Sequence, residues 1–431
     1  MRSRLRYFAM LAVLSLPVGA QLLPPVIPRV DLPISVPLQA PALPSVTLPA
    51  LPLATVRAQV RDLLRRFPDR VERDPRGFPI VRAVIISLGP DAAALQRAQG
   101  QGYVIQDDRT LPVLDQRVVT LLAPAGVSTA NALRALRAAD PQGQYDFDHL
   151  YVESGAAPAA ADAGVAGKII PVAIRVGLVD GGVDVTHPVF EHRPPQVSGC
   201  SGHSTPGAHG TAVASLFVGW AAQFAGAAPG AELLAVDVYC GADAPGGRVR
   251  DIVAALAELA EKNVRVINVS IVGPDNAVLS AVIRALVARP IAIVAAAGND
   301  GPNAAPLYPA AYPGVIAVSA VDARQRVLPE AGGGGHVSFA APGADMLAAA
   351  PGGGFASVRG TSYAAPLVAG LVARALAGHD ATVASIVQQL ASVAQDRGSK
   401  GRDRRYGYGL VGAELRVDPR TYMGRSADRN K

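Results

Sequence analysis

Two different rhythms of apolar and polar positions divide this chain. In the second half, runs rich in β-branched and aliphatic residues at 172–179, 233–239, 264–271, 291–296 and 315–321 alternate with longer stretches of helical periodicity. The runs are apolar at successive positions instead of every second one, so a strand built from them must be covered on both faces. Strands of that kind joined by helical crossovers imply an α/β domain with a parallel sheet, and sites in such sheets gather beyond the carboxyl ends of the strands.

In the first half the pattern is more compact. Residues 80–88 read as a strand, 91–99 as a helix, 103–106 and 117–122 as two strands, 128–139 as a helix capped by Ser128, and 145–152 as a last strand. The order β-α-β-β-α-β is that of the ferredoxin-like split βαβ plan, a four-stranded antiparallel sheet with two helices on one face. We therefore expect a small α+β domain over residues 79–155, and a larger α/β domain over residues 169–416. Between them, residues 156–168 carry alanines with Pro158, Gly164 and Gly167 and no sustained periodicity, which marks a flexible boundary. Ahead of the small domain, residues 54–78 hold one short helix near 56–67 with Leu63 and Leu64 on its apolar side. Residues 21–53 contain a proline every few positions (Pro24, Pro25, Pro28, Pro33, Pro37, Pro41, Pro44, Pro49, Pro52), which forbids helix and predicts an extended spacer. Residues 417–431 form a polar tail.

Composition narrows the class of function. Of the 431 residues, 50% are hydrophobic and only 17% charged, which suits a large buried core and excludes a disordered chain. The net charge of +6 is spread through predicted helices and loops and not gathered into a basic block, so nucleic acid is not an expected partner. Residues 1–20 have the form of an export signal: Arg2, Arg4 and Arg6, an apolar run over 7–16, then Val18-Gly19-Ala20, with cleavage expected after Ala20. The run is about half the roughly twenty residues a membrane anchor needs, so a secreted, periplasmic or cell-surface protein without stable membrane insertion is expected. Two cysteines, Cys200 and Cys240, suit an exported chain that closes a single disulfide; two free buried thiols are the alternative. Neither has the close Cys or His partner that zinc spacing requires, so no metal site is expected there.

Three segments of the second half carry residue types that do chemistry. Asp180 ends the apolar run Arg175-Val176-Gly177-Leu178-Val179 and precedes Gly181-Gly182-Val183-Asp184. A carboxylate shielded at a strand end can orient a histidine and stabilise its cation, a task for which Asp184 competes. His209 stands in Gly207-Ala208-His209-Gly210-Thr211, at the start of an alanine-rich helical pattern. Ser362 stands in Gly360-Thr361-Ser362-Tyr363-Ala364-Ala365-Pro366, where a loop runs into a helix whose unpaired first N–H groups favour negative charge. Taken singly, each has a plainer role: a loop aspartate, a structural histidine, a helix-capping serine. Taken together, and in this order within one parallel α/β domain, they make a candidate triad.

These segments resemble the three signatures of the subtilisin family of serine peptidases, over roughly residues 170–413. A fourth stretch, Ala295-Ala296-Ala297-Gly298-Asn299-Asp300-Gly301, is similar to the strand end that carries that family's oxyanion-hole asparagine, which assigns Asn299 that role. The resemblance implies a serine endopeptidase working through Asp180, His209 and Ser362, with protein or peptide substrates bound as an added β-strand along Ser270, Ile271, Val272 and Gly273. It implies no cofactor for the chemistry; structural calcium is common in the family, but no residue-by-residue match to a calcium loop exists here and no ligands are assigned. It also implies that residues 79–155 are an inhibitory propeptide of a monomeric zymogen, with residues 145–154 docked product-like in the cleft and self-cleavage between 151 and 168. Departures from the family pattern are Ala212 where another histidine is usual, Gly181 for a Ser or Thr, Tyr363-Ala364-Ala365 for a Met-Ala-Ser-like stretch, and Gly273-Pro274 for a glycine pair. Two readings compete with a free enzyme: a noncatalytic binding protein on the same fold, and a protease that stays bound to its leading domain at the cell surface.

Overall fold

The computed structural model describes residues 56–112, 115–155, 159–161, 171–221, 224–241, 246–379 and 381–419. The expected export signal, its cleavage point, the proline-rich spacer, most of the segment 156–168 and the end of the tail lie outside the described residues.

The apolar runs of the second half lie side by side as a seven-stranded sheet. Its order is Val337–Pro342, Ile316–Val321, Ala292–Ala296, Val266–Val269, Arg175–Asp180, Glu232–Asp237 and Gln196–Gly199. Every neighbouring pair is parallel. Alternation along the strands sends side chains to two separate cores. Leu233, Ala235, Ala292 and Val294 face helices Ala208–Val218 and Thr361–Leu376. Leu234, Val236, Ile293 and Ala295 face helices Val249–Glu261 and Ala277–Val287. The expected α/β sheet covered on both sides is what forms. Two strands escape the sequence pattern for physical reasons. Gln196–Gly199 is a short edge strand with polar residues at two of its four positions, and Val337–Pro342 replaces bulky β-formers with alanines and ends in proline.

The first half forms an antiparallel sheet in the order Gln144–His149, Pro79–Leu88, Gln116–Leu122 and Val104–Leu111. The short strand Val71–Arg73 pairs with the start of Pro79–Leu88. Helices Ala92–Gly100 and Thr129–Ala139 begin where Asp91 and Ser128 accept the backbone N–H groups of Ala94 and Asn131. These two helices cover one face of the sheet, with Leu95, Ala98, Leu133 and Leu136 packed on Ile85, Val119 and Leu121. The other face, carrying Ile86, Leu88, Leu111 and Val118, shares a core with helices Val249–Glu261 and Ala277–Val287 of the second half. The small sheet is thus sandwiched between its own helices and those of the large domain.

Polar contacts fix the register of this docking. Asp146 accepts the Ala277 N–H at 2.7 Å, in the first turn of helix Ala277–Val287, where negative charge is favoured. Asp148 is fully buried and pairs with the Arg248 guanidinium, with Nε at 2.7 Å. Asn276 donates to the Phe147 carbonyl at 2.9 Å. The chain then leaves Gln144–His149 aimed at the carboxyl ends of the parallel strands. Among the described residues no helix is long and apolar enough to cross a membrane.

Candidate active site

Asp180, His209 and Ser362 converge at the carboxyl end of the parallel sheet. Asp180 is the last residue of its strand and has no exposed surface. Helix Ala208–Val218 begins against it, because Gly207 donates its N–H to the Gly182 carbonyl at 2.8 Å and Gly210 lies flush on the Gly181-Gly182 backbone. A Cβ at Gly210 would overlap that backbone, which is the physical content of the His-Gly-Thr segment. His209 Nδ1 lies 2.7 Å from Asp180 Oδ1, and His209 Nε2 lies 3.0 Å from Ser362 Oγ. Asp180 Oδ1 also accepts the Gly181 N–H at 2.7 Å, while Oδ2 is buried with no hydrogen-bond partner among the described residues. The competing carboxylate, Asp184, is engaged elsewhere: it accepts from Thr186 and from the Gly352 N–H and holds two loops together.

Ser362 is the second residue of helix Thr361–Leu376. Pro366 lies four positions on and has no N–H to give to the Ser362 carbonyl. That carbonyl accepts instead from Ser270 Oγ at 2.9 Å, and Ser270 Oγ accepts from Asn268 at 2.8 Å. The proline that marks the helix start in the sequence thereby frees the backbone group that ties the serine to the neighbouring strand end.

Asn299 is oriented by the Thr361 N–H, which donates to its Oδ1 at 3.1 Å and so turns Nδ2 toward the cleft. There Nδ2 donates to Ser154 Oγ at 3.0 Å. The Ser154 carbonyl oxygen accepts from the Ser362 N–H at 3.0 Å, and the Ser362 hydroxyl also donates to it. One backbone donor and the candidate nucleophile therefore converge on a peptide carbonyl of this same chain, with the Asn299 amide one atom group away.

The segment leading to Ser154 lies in the cleft as a strand. Val152–Glu153 pairs antiparallel with Ile271–Val272, the Ser154 N–H donates to the Ser270 carbonyl at 3.3 Å, and the Tyr151 N–H donates to the Gly247 carbonyl at 2.8 Å. Of the four residues expected to pair with a bound strand, Ser270, Ile271 and Val272 do so. Gly273 does not: its N–H and carbonyl exchange hydrogen bonds with Tyr308. It serves by lacking a side chain, because a Cβ there would stand 2.6 Å from the buried Tyr151 ring. The Tyr151 hydroxyl reaches the Pro274 carbonyl, so the departure at Gly273-Pro274 forms the floor of a pocket for an aromatic residue.

Sequence reasoning missed Glu153, whose carboxylate sits beside Asp180 and His209, with one ligand-type atom of each within 4.8 Å of the others. Burial pushes the Glu153 carboxyl pKa up; the His209 charge opposes this, and the charges of Asp180 and Asp237 add to it. For His209, burial alone would lower the pKa, but the charges of Asp180 and Glu153 and the hydrogen bond to Asp180 outweigh it and lift it to about 9. This trio is the group of potential metal ligands found among the described residues, yet both imidazole nitrogens are committed to Asp180 and Ser362. The hydrogen-bonded row is Asp180, His209 and Ser362, with the Glu153 carboxylate beside it acting through charge, and no calcium ligand set is assigned. Thr361 was also missed: its hydroxyl lies 2.9 Å from Ser154 Oγ and accepts the Gly298 N–H at 3.1 Å. Both segments stand out in the sequence by a glycine, Gly298 and Gly360, but only folding brings the Gly298 N–H onto the Thr361 hydroxyl. Away from the cleft, Cys200 and Cys240 form a disulfide with Cα atoms 5.2 Å apart, tying together the loops after strands Gln196–Gly199 and Glu232–Asp237.

Residues 172–409 match the model of the subtilase family, described as peptidase S8. Subtilisin E of Bacillus subtilis (strain 168) is 32% identical over 252 residues, a match covering 56% of this chain and 65% of that protein. Subtilisin BL of Lederbergia lenta is 33% identical over 267 residues, covering 60% of this chain and 94% of that protein. Among solved structures, fervidolysin from Fervidobacterium pennivorans, described as a keratinolytic enzyme related to subtilisin, superposes with a TM-score of 0.64 at 22% identity. That likeness of fold covers 78% of this chain and 61% of that one. The prenylagaramide maturation protease PagA gives a TM-score of 0.50 at 27% identity, covering 56% of this chain and 92% of that one. The family match takes in more than half of the chain and all four segments that meet at the carboxyl ends of the sheet, and on that ground the chain belongs to the subtilase family.

Proposed function

We propose that this chain is an exported serine endopeptidase made as a precursor, with Asp180, His209 and Ser362 as its catalytic triad and its own leading domain as first substrate and inhibitor. The observation that carries the reading is the Ser154 carbonyl, held by the Ser362 N–H with Ser362 Oγ against it, while residues 151–154 pair with the cleft as a strand. The bond after that carbonyl, Ser154–Gly155, is the one poised for cleavage.

The chemistry is acyl transfer. Neutral His209 takes the Ser362 proton through Nε2 as Oγ attacks the Ser154 carbonyl carbon; Asp180, bonded to Nδ1, fixes the tautomer and stabilises the imidazolium. The negative charge that develops on the carbonyl oxygen falls to the Ser362 N–H and, after a small shift from Ser154 Oγ, to Asn299 Nδ2. His209 then protonates the leaving amine of Gly155, and water releases the acyl group by the same steps. Foreign polypeptides would enter along Ser270–Val272 by main-chain pairing, which accepts many sequences, with the pocket beside Gly273 favouring an aromatic residue three positions before the residue whose carbonyl is attacked. The arginine-led apolar start of the chain supports export, and the fold likeness to fervidolysin, which extends beyond the family match, is consistent with a leading domain in that arrangement.

Labelling with a serine-directed fluorophosphonate tests the reading. The processed protein, freed of its leader, is expected to take one label at Ser362, and Ser362→Ala to take none. A processed protein that stays unlabelled under all conditions would remove the peptidase assignment.

A further inference from the structure

Between the proline-rich stretch and the leading sheet the chain forms helix Val56–Arg66, which the split βαβ plan does not require. Val56, Val60, Leu63 and Leu64 form a stripe at helical spacing, and Arg57, Arg61 and Arg65 are exposed. A helix of eleven residues is marginal in water without a surface to pack on. Its surface is the cleft. Val56 and Val60 are buried in one cluster with Val152 of the bound strand and with Val272 and Leu307 of the catalytic domain. Leu63 and Leu64 reach from there to Phe67 and Leu150 of the leader. Two polar contacts set the position: the Val56 N–H, an unpaired donor at the helix start, donates to Asp300 Oδ1 at 2.8 Å, and Gln59 Nε2 donates to the Glu153 carbonyl at 3.1 Å. The helix lies across the strand that fills the cleft and touches the walls beyond it.

We propose that the Val272 side chain, Leu307 and Asp300 form a docking surface for an amphipathic helix, beside the backbone pairing of the cleft, and that Val56–Arg66 seated there adds to the strand and sheet contacts of the leader a clamp that outlasts the cut. This rests on the precursor reading above. Breaking Ser154–Gly155 frees one end of the bound strand but leaves the contacts of the helix and of the leading sheet in place, so release of the leader requires the helix to open as well. The occupant is the chain's own helix, and its surface becomes free only when the leader departs.

The test uses the full chain as wild type, Val60→Asp, Gln59→Ala and Asp300→Ala. Two quantities are followed: the appearance of a new N-terminus at Gly155, and the lag before an external peptide is hydrolysed, with co-elution of the two fragments on size exclusion. Burying an aspartate in place of Val60 removes an apolar contact and adds an unpaired charge, so Val60→Asp is expected to shorten the lag on the order of tenfold or more. In Val60→Asp and Gln59→Ala the cut stays at Gly155 and the final activity is unchanged, because the substituted residue leaves with the leader and the released enzyme is identical. Gln59→Ala and Asp300→Ala are expected to shorten the lag in the same direction by a smaller factor. A normal cut with an unaltered lag in all three variants overturns the clamp and leaves the precursor reading intact. Absence of the cut in wild type overturns both.

Discussion

His209 carries opposite demands in the precursor. Its pKa of about 9 keeps the imidazole protonated at neutral pH, and a protonated imidazole cannot take the Ser362 proton. Part of that elevation comes from Glu153, a residue of the bound strand that would depart with the leader in the processing we propose. Self-cleavage is therefore expected to accelerate with pH up to a midpoint near 9, and Glu153→Gln to move that midpoint downward. Initial rates of fragment appearance across pH check this; a midpoint that stays or rises would refute the role given to Glu153. The same elevation has a stability consequence. The protonated imidazole stabilises the precursor fully below the ordinary histidine range, and this contribution is lost as pH rises through about 9. Asn299 allows a second check on the processed enzyme. Asn299→Ala is expected to lower kcat by roughly 10²–10³ with KM little changed, the loss that follows removal of one oxyanion donor. A variant of undiminished kcat would place the oxyanion elsewhere.

Strands, helices and the bridge between them account for how the site is held. The disulfide Cys200–Cys240 closes a loop of 40 residues, for which chain entropy predicts a contribution of about 4 kcal/mol to stability. Paired Cys200→Ser and Cys240→Ser substitutions are expected to lower the thermal midpoint clearly while leaving the order of cleavage events intact. An unchanged midpoint would show that the edge strand Gln196–Gly199 is secured without the bridge. Much of this framework was legible beforehand, because doubly covered strands leave unbroken apolar runs and because Ser128 and Pro366 mark helix starts by simple hydrogen-bond rules; the cap formed by Asp91, read as the first helical residue, shows only in the structure. What escaped was set by contacts distant in sequence. Val337–Pro342 is a strand only because the sheet beside it supplies partners, and Gly273 turned from a pairing residue into a space for Tyr151 because Tyr308 claims its backbone. Glu153 carried no signal at all; as one carboxylate in a strand-like run, it gains meaning only when residues 151–154 are laid against His209.

Among the described residues, the strand that follows the leading sheet fills the cleft of the subtilase domain. The leading sheet buries its open face on two helices of the catalytic domain, Asp148 and Arg248 pair within that contact, and the chain continues from it straight into the cleft. If the chain is the precursor we propose, such an arrangement makes its first turnover intramolecular, with Ser362 and the Ser154 carbonyl already in place, which is the condition under which proximity lowers a barrier most. It also makes the site of that turnover a single bond. Purification of the full chain as wild type and as Ser362→Ala, followed by N-terminal sequencing of every fragment, tests the account most directly. Wild type is expected to yield a fragment beginning at Gly155, and Ser362→Ala to remain uncut under the same conditions. The same fragment arising from Ser362→Ala in the absence of any other protease would contradict the account.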